Sequence, residues 1–335
     1  MVDLAPFHGG SDAGPEPRHD FSSNANPVGP CPSVLAAVRA ADVTRYPDPA
    51  YTALRARLAD HHGVTPKRVV IGAGASELIL RFIRQHQGSI QILGPTFSEY
   101  ERCARLTRKR SYQTDNVTDF LQLRRSRRSL GFLCWPNNPT GAMWPLEFVA
   151  EAAHRGPLVV DLAYAPLCAD GTLARVEAAA GRAIRLYAPN KSFGLTGVRA
   201  AYAITPTPMP ALVQQAPAWV LDRTGEAFLA AAIEAEASRW LAASRPVYFK
   251  WREKLAQALR DRGCEVRSGP ATYLLARVGD ARRLSAALRA RGVRVRDCGS
   301  FGLPEWIRLS AQPPKAQRHL LAQFDAANSR RSTLV

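Results

Sequence analysis

The sequence predicts an α/β protein with a large domain built on a mostly parallel central sheet, flanked by helices, and a smaller α/β domain. Short apolar strands alternate with segments of helical apolar spacing. The strands stop at turns rich in Gly, Pro and Asn, and polar side chains follow directly after the strand ends. In open parallel sheets ligands bind at the carboxyl ends of the strands, so we expect a small-molecule site at that edge.

The elements divide the chain into three predicted parts: an N-terminal arm that joins the small domain (1–45), a large domain (46–230) and a small C-terminal domain (231–335). The first 32 residues are rich in Gly, Pro, Asn and Asp, which is typical of an extended arm. The large domain has predicted helices at 51–62 and 76–83 and predicted strands at 69–71, 90–93, 130–134, 158–160 and 185–187. The small domain follows a long helical stretch from about residue 230 and has predicted strands at 264–266, 273–277 and 306–309 and a helix at 281–291.

Composition excludes several classes of protein. The chain has 335 residues, and its 46% hydrophobic content is that of a globular protein. No uncharged apolar run reaches the ~18 residues of a membrane span, and the N-terminus lacks the pattern of a signal peptide. Six cysteines are scattered without a C-x-x-C pair, which argues against a zinc site or a disulfide framework. We expect a cytoplasmic protein that binds neither metal nor membrane.

The net charge of +17 leaves three interpretations open: a nucleic-acid partner, a general bias toward arginine, or an anionic small substrate. Arginines outnumber lysines 39 to six and are spread along the chain, which favours the second interpretation. The dense run at 124–128 is predicted to lie on a solvated face. No DNA-binding module accompanies it, so no nucleic-acid partner is expected.

Four short motifs carry candidate chemistry. The loop at 72–77, between a strand and a helix, offers backbone N–H groups to an anion. Asn138 lies between two prolines that restrict its backbone, and Asp161 follows an apolar strand, where a buried acid needs a cationic partner. Lys191 has a mostly apolar setting and is a candidate nucleophile toward an aldehyde, and Arg199 is placed to hold a phosphate. Each motif alone is also compatible with an ordinary turn, a surface acid or a surface ion pair.

Taken in order, the motifs resemble the fold-type I pyridoxal-phosphate enzymes, in the aminotransferase-like branch that includes histidinol-phosphate aminotransferase. The resemblance covers about residues 7–314. It implies pyridoxal 5′-phosphate as cofactor, Lys191 as the residue that bonds its aldehyde, and a homodimer with shared active sites. The other implied cofactor contacts are Asp161 on the ring nitrogen, Asn138 and Tyr164 on the phenolic oxygen, Phe97 stacked on the ring, Ala75, Ser76 and Arg199 on the phosphate, and Tyr46 on the phosphate of the neighbouring subunit.

Within this branch, three segments are similar to the threonine-phosphate decarboxylases of cobalamin biosynthesis. They are the His-Gly-Gly start at 8–10, the Asn-Pro segment at 20–29 and the C-terminal segment at 295–309. The resemblance implies decarboxylation of L-threonine O-3-phosphate to (R)-1-amino-2-propanol O-2-phosphate. It also implies substrate contacts from His8, Gly9, Asn26, Arg296 and Arg308, and two arginines suit a substrate that carries two anionic groups.

Two alternatives remain open at the level of sequence. Histidinol-phosphate aminotransferases share the Asn-Pro arm and both arginines, so an aminotransferase on a phosphorylated amine or amino alcohol is the second interpretation. A non-catalytic regulator is the third, although no additional DNA-binding domain precedes Phe21. The chain departs from the family pattern at four positions where another residue is common: Ala73, Leu162, Ala188 and Asn190.

Overall fold

The computed structural model of the chain describes residues 9–124 and 128–329. Its strands form three sheets. In chain order the strands are β1 (His19–Asp20), β2 (Val69–Gly72), β3 (Ser89–Leu93), β4 (Ser111–Thr114), β5 (Ser129–Cys134), β6 (Leu158–Asp161), β7 (Ile184–Tyr187), β8 (Ala201–Ile204), β9 (Val266–Ser268), β10 (Tyr273–Arg277), β11 (Val293–Arg294), β12 (Arg296–Asp297) and β13 (Trp306–Ser310).

The helices cover the sheets, and three of them begin at a side chain that accepts a hydrogen bond from the first turn: Asn116, Asp222 and Asp280. In chain order the helices are α1 (Pro32–Arg39), α2 (Thr52–His61), α3 (Ala75–Gln85), α4 (Glu99–Leu106), α5 (Val117–Leu123), α6 (Leu146–Arg155), α7 (Thr172–Ala179), α8 (Pro210–Gln214), α9 (Arg223–Ala232), α10 (Ala235–Arg260), α11 (Ala281–Arg289) and α12 (Pro314–Ser329). Within the described residues, no helix is both long and apolar enough to cross a membrane.

The central sheet has seven strands in the order β2-β8-β7-β6-β5-β3-β4. Strands β4, β3, β5, β6 and β7 are parallel, and β8 is antiparallel to both β7 and β2. Because β2 and β7 both oppose β8, they run in the same direction. The carboxyl ends of β2, β3, β5, β6 and β7 therefore lie at one edge, as the predicted fold class requires.

A four-stranded antiparallel sheet, β12-β13-β10-β9, carries a second core. Leu255 and Leu259 of α10 pack in this core, whereas Leu241 and Tyr248 of the same helix pack in the core around the central sheet. Helix α10 thus spans both cores, which sets the position of β12 and β13 relative to the central sheet.

The arm divides between the two cores. Strand β1 pairs with β11, and Phe21 is buried in the second core. Cys31 and Val34, however, pack in the core of the central sheet. The start of the arm therefore packs with the smaller core, while α1 packs with the larger one.

Three local expectations differ from the structure. The strand expected at 264–266 lies at Val266–Ser268, because the Cys264 N–H still closes the turn after α10 by bonding Leu259 O. Strand β4 was not predicted, because it is an exposed edge strand of polar residues. Strand β8 was also not predicted, although its sequence is apolar.

The arginine run at 124–128 is not uniformly solvated. Arg124 is 1% exposed and donates to the carbonyls of Ala152, Gly156 and Pro157 at the end of α6. Burial lowers the pKa of its guanidinium to about 10. Arg128 is exposed as expected, and residues 125–127 lie outside the described part of the chain.

Candidate active site

A cavity of about 410 Å³ lies at the carboxyl edge of the central sheet. Loops after five strands meet there, and the arm and the second sheet close its other side. The predicted site residues that line it are Gly9, Ala75, Ser76, Phe97, Asn138, Asp161, Tyr164, Lys191, Arg199, Arg296 and Arg308. A larger groove of about 500 Å³ lies at the opposite edge of the sheet, but its lining is mostly apolar and includes no carboxylate.

Asp161 is the last residue of β6 and is 3% exposed. Its Oδ1 accepts a hydrogen bond of 3.0 Å from the Ala163 N–H, and its Oδ2 accepts one of 2.8 Å from the Tyr100 hydroxyl. Burial raises the pKa of the carboxyl, while these two donors and Lys191 act in the opposite direction. A buried acid whose nearest cation is a lysine amine is suited to a second cationic group in the same cavity.

Lys191 and Tyr164 lie on the same side of the cavity. The Lys191 Nζ is 5.4 Å from the centre of the Tyr164 ring, a cation–π distance. Tyr164 is held by Tyr273, whose ring centre is 5.2 Å away, and by the Asn24 amide, which approaches its hydroxyl at 3.5 Å. Lys191 and Asp161 therefore face one common cavity, which the interpretation of the sequence requires.

The loop before α3 forms a concave surface at the start of that helix. Gly74 has φ +85°, and an added Cβ there would lie 2.7 Å from the Arg199 guanidinium. Ala75 and Ser76 follow as the first residues of α3. Backbone N–H groups, the helix dipole and one arginine thus converge on a site for an anion.

The two C-terminal arginines are buried neighbours, because Arg296 of β12 pairs with Arg308 of β13. The Arg308 guanidinium donates to Asn138 Oδ1 and, at 2.7 Å, to Ser22 O. Arg296 donates to Ser300 Oγ at 2.6 Å and lies 4.9 Å from the Phe301 ring centre. Burial and then the charge of Arg308 lower the pKa of Arg296 to about 10. Two buried like charges side by side favour an anionic ligand between them.

Two predicted contacts, Asn26 and Tyr46, do not line this cavity. Asn26 is a correction: its amide donates to Ser192 O and Ser244 Oγ, so it ties the arm to the lysine loop instead of facing the substrate. Tyr46 is 79% exposed and stacks on Trp219 at 4.6 Å, so its proposed contact with a neighbouring subunit stays a prediction. His8 lies outside the described residues.

Some residues of the site were missed in the sequence. Tyr100 contacts Asp161, and its position three residues after Phe97, at the start of α4, is the signal that could have identified it. Asn24, Gly10 and Phe301 line the cavity through long-range packing that no local pattern reports. Thr196 and Ala188, which lacks the hydroxyl common in the family, also line it.

Comparison with known proteins now identifies the family. The family model "Aminotransferase class I and II" matches residues 17–324. The chain belongs to the class I and II aminotransferase family.

Its relatives include the histidinol-phosphate aminotransferase of Haloferax volcanii, 31% identical over 318 residues, which cover 88% of this chain and 86% of that one. The histidinol-phosphate aminotransferase of Nitratidesulfovibrio vulgaris (strain DP4) is 31% identical over 326 residues, which cover 90% and 86%. Among solved structures, histidinol-phosphate aminotransferase from Sinorhizobium meliloti in complex with pyridoxal 5′-phosphate superposes with a TM-score of 0.84 at 24% identity, covering 95% of this chain and 92% of that one. The chain is therefore a fold-type I enzyme of this family, close to histidinol-phosphate aminotransferase.

The residues present fit pyridoxal 5′-phosphate, the cofactor of this family. The cavity combines a lysine amine, a buried carboxylate and a glycine-lined anion cradle under an arginine. These are the groups that an aldehyde, a protonated ring nitrogen and a phosphate require.

Proposed function

We propose that the chain is a pyridoxal-phosphate-dependent aminotransferase that acts on a small phosphorylated amine, as its relatives named histidinol-phosphate aminotransferase do. The observation that carries the proposal is that Lys191 and Asp161 line one cavity together with Arg296 and Arg308. The first pair serves the cofactor and the second pair serves an anionic substrate. The identity of the relatives supports the reaction class.

The cofactor, when bound, withdraws electrons from the substrate Cα. In the proposed arrangement Lys191 would bond its aldehyde and Asp161 would hold the proton on its ring nitrogen. Asn138 and Tyr164 would contact its phenolic oxygen, and Phe97 would pack on its ring. Ala75, Ser76 and Arg199 would hold its phosphate.

The remaining residues orient the substrate. Arg308 and Arg296 bind its anionic groups, and the contact of Arg308 with Ser22 O couples that binding to the arm. The Lys191 amine lines the cavity and, when not bonded to the cofactor, would accept a proton from the substrate Cα and return it. The arm residues Gly9 and Gly10 line the cavity on this side.

A second candidate is decarboxylation of L-threonine O-3-phosphate, which breaks the bond from Cα to the carboxylate instead of the Cα–H bond. The specific observation in its favour is the position of Gly9: an added Cβ would lie 3.3 Å from Arg308 Nη2. The glycine-rich start, on which the resemblance to the decarboxylases depends, thus reaches the substrate arginine. A substrate with both a carboxylate and a phosphate would use both arginines.

One pair of incubations decides between the reactions. Purified holoenzyme is given histidinol phosphate with 2-oxoglutarate, or threonine phosphate with no keto acid. Glutamate formed in the first incubation supports the aminotransferase, and carbon dioxide released in the second supports the decarboxylase. If neither product forms although the protein holds its cofactor, both proposals fail.

The cofactor attachment is tested separately. Borohydride treatment fixes the cofactor to the amine that holds it, and mass spectrometry of the digested protein locates it. We expect it on the peptide that contains Lys191 and expect none in Lys191→Ala. Lys67→Ala, an exposed lysine in the turn before β2, is the matched control and retains the label.

We also propose that the chain forms a homodimer through the face that carries Tyr46. Tyr46 is 79% exposed and Trp219 is 45% exposed, and their rings stack to form an apolar surface with Val43 nearby in the chain. Exposed large apolar groups of this kind mark interaction surfaces. A second copy would bring Tyr46 to the phosphate end of the neighbouring site, as the family resemblance implies.

A further inference from the structure

A second cavity, of about 260 Å³, lies behind the arm, on the side away from the central sheet. It shares Gly9, Gly10, Ser22 and Arg296 with the candidate active site, so the arm separates the two spaces. Helix α11 forms its outer wall. None of the residues proposed for the cofactor lines it.

The wall of this second cavity is strongly basic. Four arginines and two aspartates line it, which leaves a formal excess of two positive charges: Arg282, Arg289, Arg294, Arg296, Asp12 and Asp297. Arg282, Ser285 and Arg289 are spaced three, four and seven residues apart on α11 and therefore share one helix face. Low-dielectric walls of one charge sign concentrate ligands of the opposite sign.

Several hydrogen-bond donors in this wall have no partner in the described part of the chain. They are the buried atoms Ser285 Oγ, Arg289 Nη1 and Arg294 Nε. Arg294 is 6% exposed, so water does not readily serve its guanidinium. Buried donors are normally satisfied, and several unsatisfied donors around one basic cavity indicate a missing acceptor.

Three acceptors of the arm reach the cluster now. Asp20 Oδ2 accepts from Arg294 at 3.2 Å, and Pro15 O accepts from Arg289 at 2.5 Å. Asp12 Oδ1 bridges the two arginines, at 2.8 Å from Arg289 and 3.2 Å from Arg294, although its side chain is 57% exposed. An exposed carboxylate on an extended segment is a weak and replaceable partner. A dianion in the cavity would offer more acceptor oxygens to the same guanidinium groups.

We propose that this cavity is a second anion-binding site, for inorganic phosphate or a small phosphate monoester, and that the ligand replaces Asp12 on Arg289 and Arg294. The proposed ligand position on Arg289 and Arg294 differs from the proposed substrate position, although Arg296 lines both cavities, and it does not depend on which reaction the enzyme performs. Its volume suits a small ligand, since sites for drug-sized molecules start at about 300 Å³. Because Asp12 is two residues from Gly10, which lines both cavities, the occupant also acts on the arm that closes the active site.

The test measures binding of inorganic phosphate to the holoenzyme by calorimetry, with sodium chloride keeping the ionic strength constant. We expect saturable binding that Arg282→Ala/Arg289→Ala weakens about tenfold or more, because charge-assisted contacts are lost. Asp12→Asn removes the competing carboxylate, so it binds phosphate more tightly than wild type. Arg283→Ala, an exposed arginine on the same helix that does not line the cavity, is the matched control and binds as wild type does.

The two variants are expected to change the affinity for phosphate in opposite directions. A general loss of stability would not produce this result. Phosphate binding that is unchanged in both variants places the ion at Arg308 in the active site and overturns the proposal, as does the absence of saturable binding. A second series adds glycerol phosphate to the phosphate-bound protein. If glycerol phosphate binds more tightly than phosphate and displaces it at a lower concentration, the ligand is an organic phosphate. If it displaces phosphate only at a higher concentration, the ligand is the free ion. Both outcomes support the site.

Discussion

Tyr100 is the side chain that donates a hydrogen bond to Asp161, beside the Ala163 N–H. Both side chains are buried, and the phenol donates its proton to Oδ2. Burial and then the charge of Asp161 raise the pKa of Tyr100 well above its usual value, so the phenol stays a neutral donor. The hydrogen bond from Tyr100 thus opposes the effect of burial on the pKa of Asp161.

Tyr100→Phe tests this role. Removal of the donor raises the pKa of Asp161 further, so the fall in activity at acid pH moves to higher pH. The free energy of unfolding decreases by about 1–3 kcal/mol, because a buried carboxylate oxygen loses its partner. The pH profile of turnover and urea unfolding measure the two effects.

The matched control for Tyr100→Phe is Tyr112→Phe, an exposed tyrosine on β4. It loses the same hydroxyl without touching the site. If Tyr100→Phe loses stability as expected but its activity falls at the same acid pH as that of the wild type, Tyr100 has a purely structural role.

His62 is a second residue whose environment predicts an effect of pH, here on the free energy of unfolding. Its side chain is 6% exposed and packs among Tyr202, Tyr187 and Glu177, with Arg185 and His61 also facing it. Burial lowers its pKa from 6.5 to about 3. The unfolded chain therefore binds more protons than the folded one between these two values, and the free energy of unfolding decreases as the pH falls through this window.

His62→Asn removes this contribution. We expect the slope of unfolding free energy against pH, measured by urea unfolding over this window, to become shallower by at most about 1.4 kcal/mol per pH unit. An unchanged slope in His62→Asn would show that His62 is protonated in the folded state.

At the scale of elements, the arm is an extended segment whose position depends on close backbone approach. An added Cβ on Gly9 would lie 2.4 Å from Ser22 O, closer than real contacts allow. Gly10 donates its N–H to Ser22 Oγ at 2.9 Å and has φ +101°. The arm therefore lies against Arg308 only because both positions are glycine.

Gly9→Val forces the arm away from Ser22 and Arg308. We expect the KM for the phosphorylated substrate to rise roughly tenfold, as the loss of one charge-assisted contact does. The cofactor absorbance stays unchanged, because no cofactor contact involves Gly9. Ala13→Val adds the same bulk at an exposed arm position and leaves KM unchanged; an unaltered KM in Gly9→Val would show that the arm does not contribute to substrate binding.

At the scale of the whole molecule, the proposed dimer makes the active site a shared structure. Tyr46→Phe chains alone are expected to bind the cofactor about tenfold more weakly, since a hydrogen bond to a charged phosphate is lost. In mixed dimers with Lys191→Ala chains, one site combines Lys191 of one chain with Tyr46 of the other and regains wild-type affinity. Cofactor titration of the mixture checks this, and no gain over Tyr46→Phe alone would mean that Tyr46 serves no neighbouring site.

The sequence by itself determined the fold class and the order of the chemical groups. Lys191, Asp161 and Asn138 each follow a short apolar strand, and parallel strands place such residues at a common edge. Local patterns suffice here because strand periodicity and turn residues act over a few positions. The cavity that joins them confirms that logic.

Tertiary structure decided which partners the buried polar groups take. Arg124 is part of a charged run, yet it is buried against α6, and Asn26 binds the lysine loop instead of facing the cavity. Tyr100 meets Asp161 across 61 positions, and Asp12 meets Arg294 across 282. Such contacts depend on how separate elements pack, because a buried polar group is satisfied by whichever partner the packing brings near, at any distance along the chain.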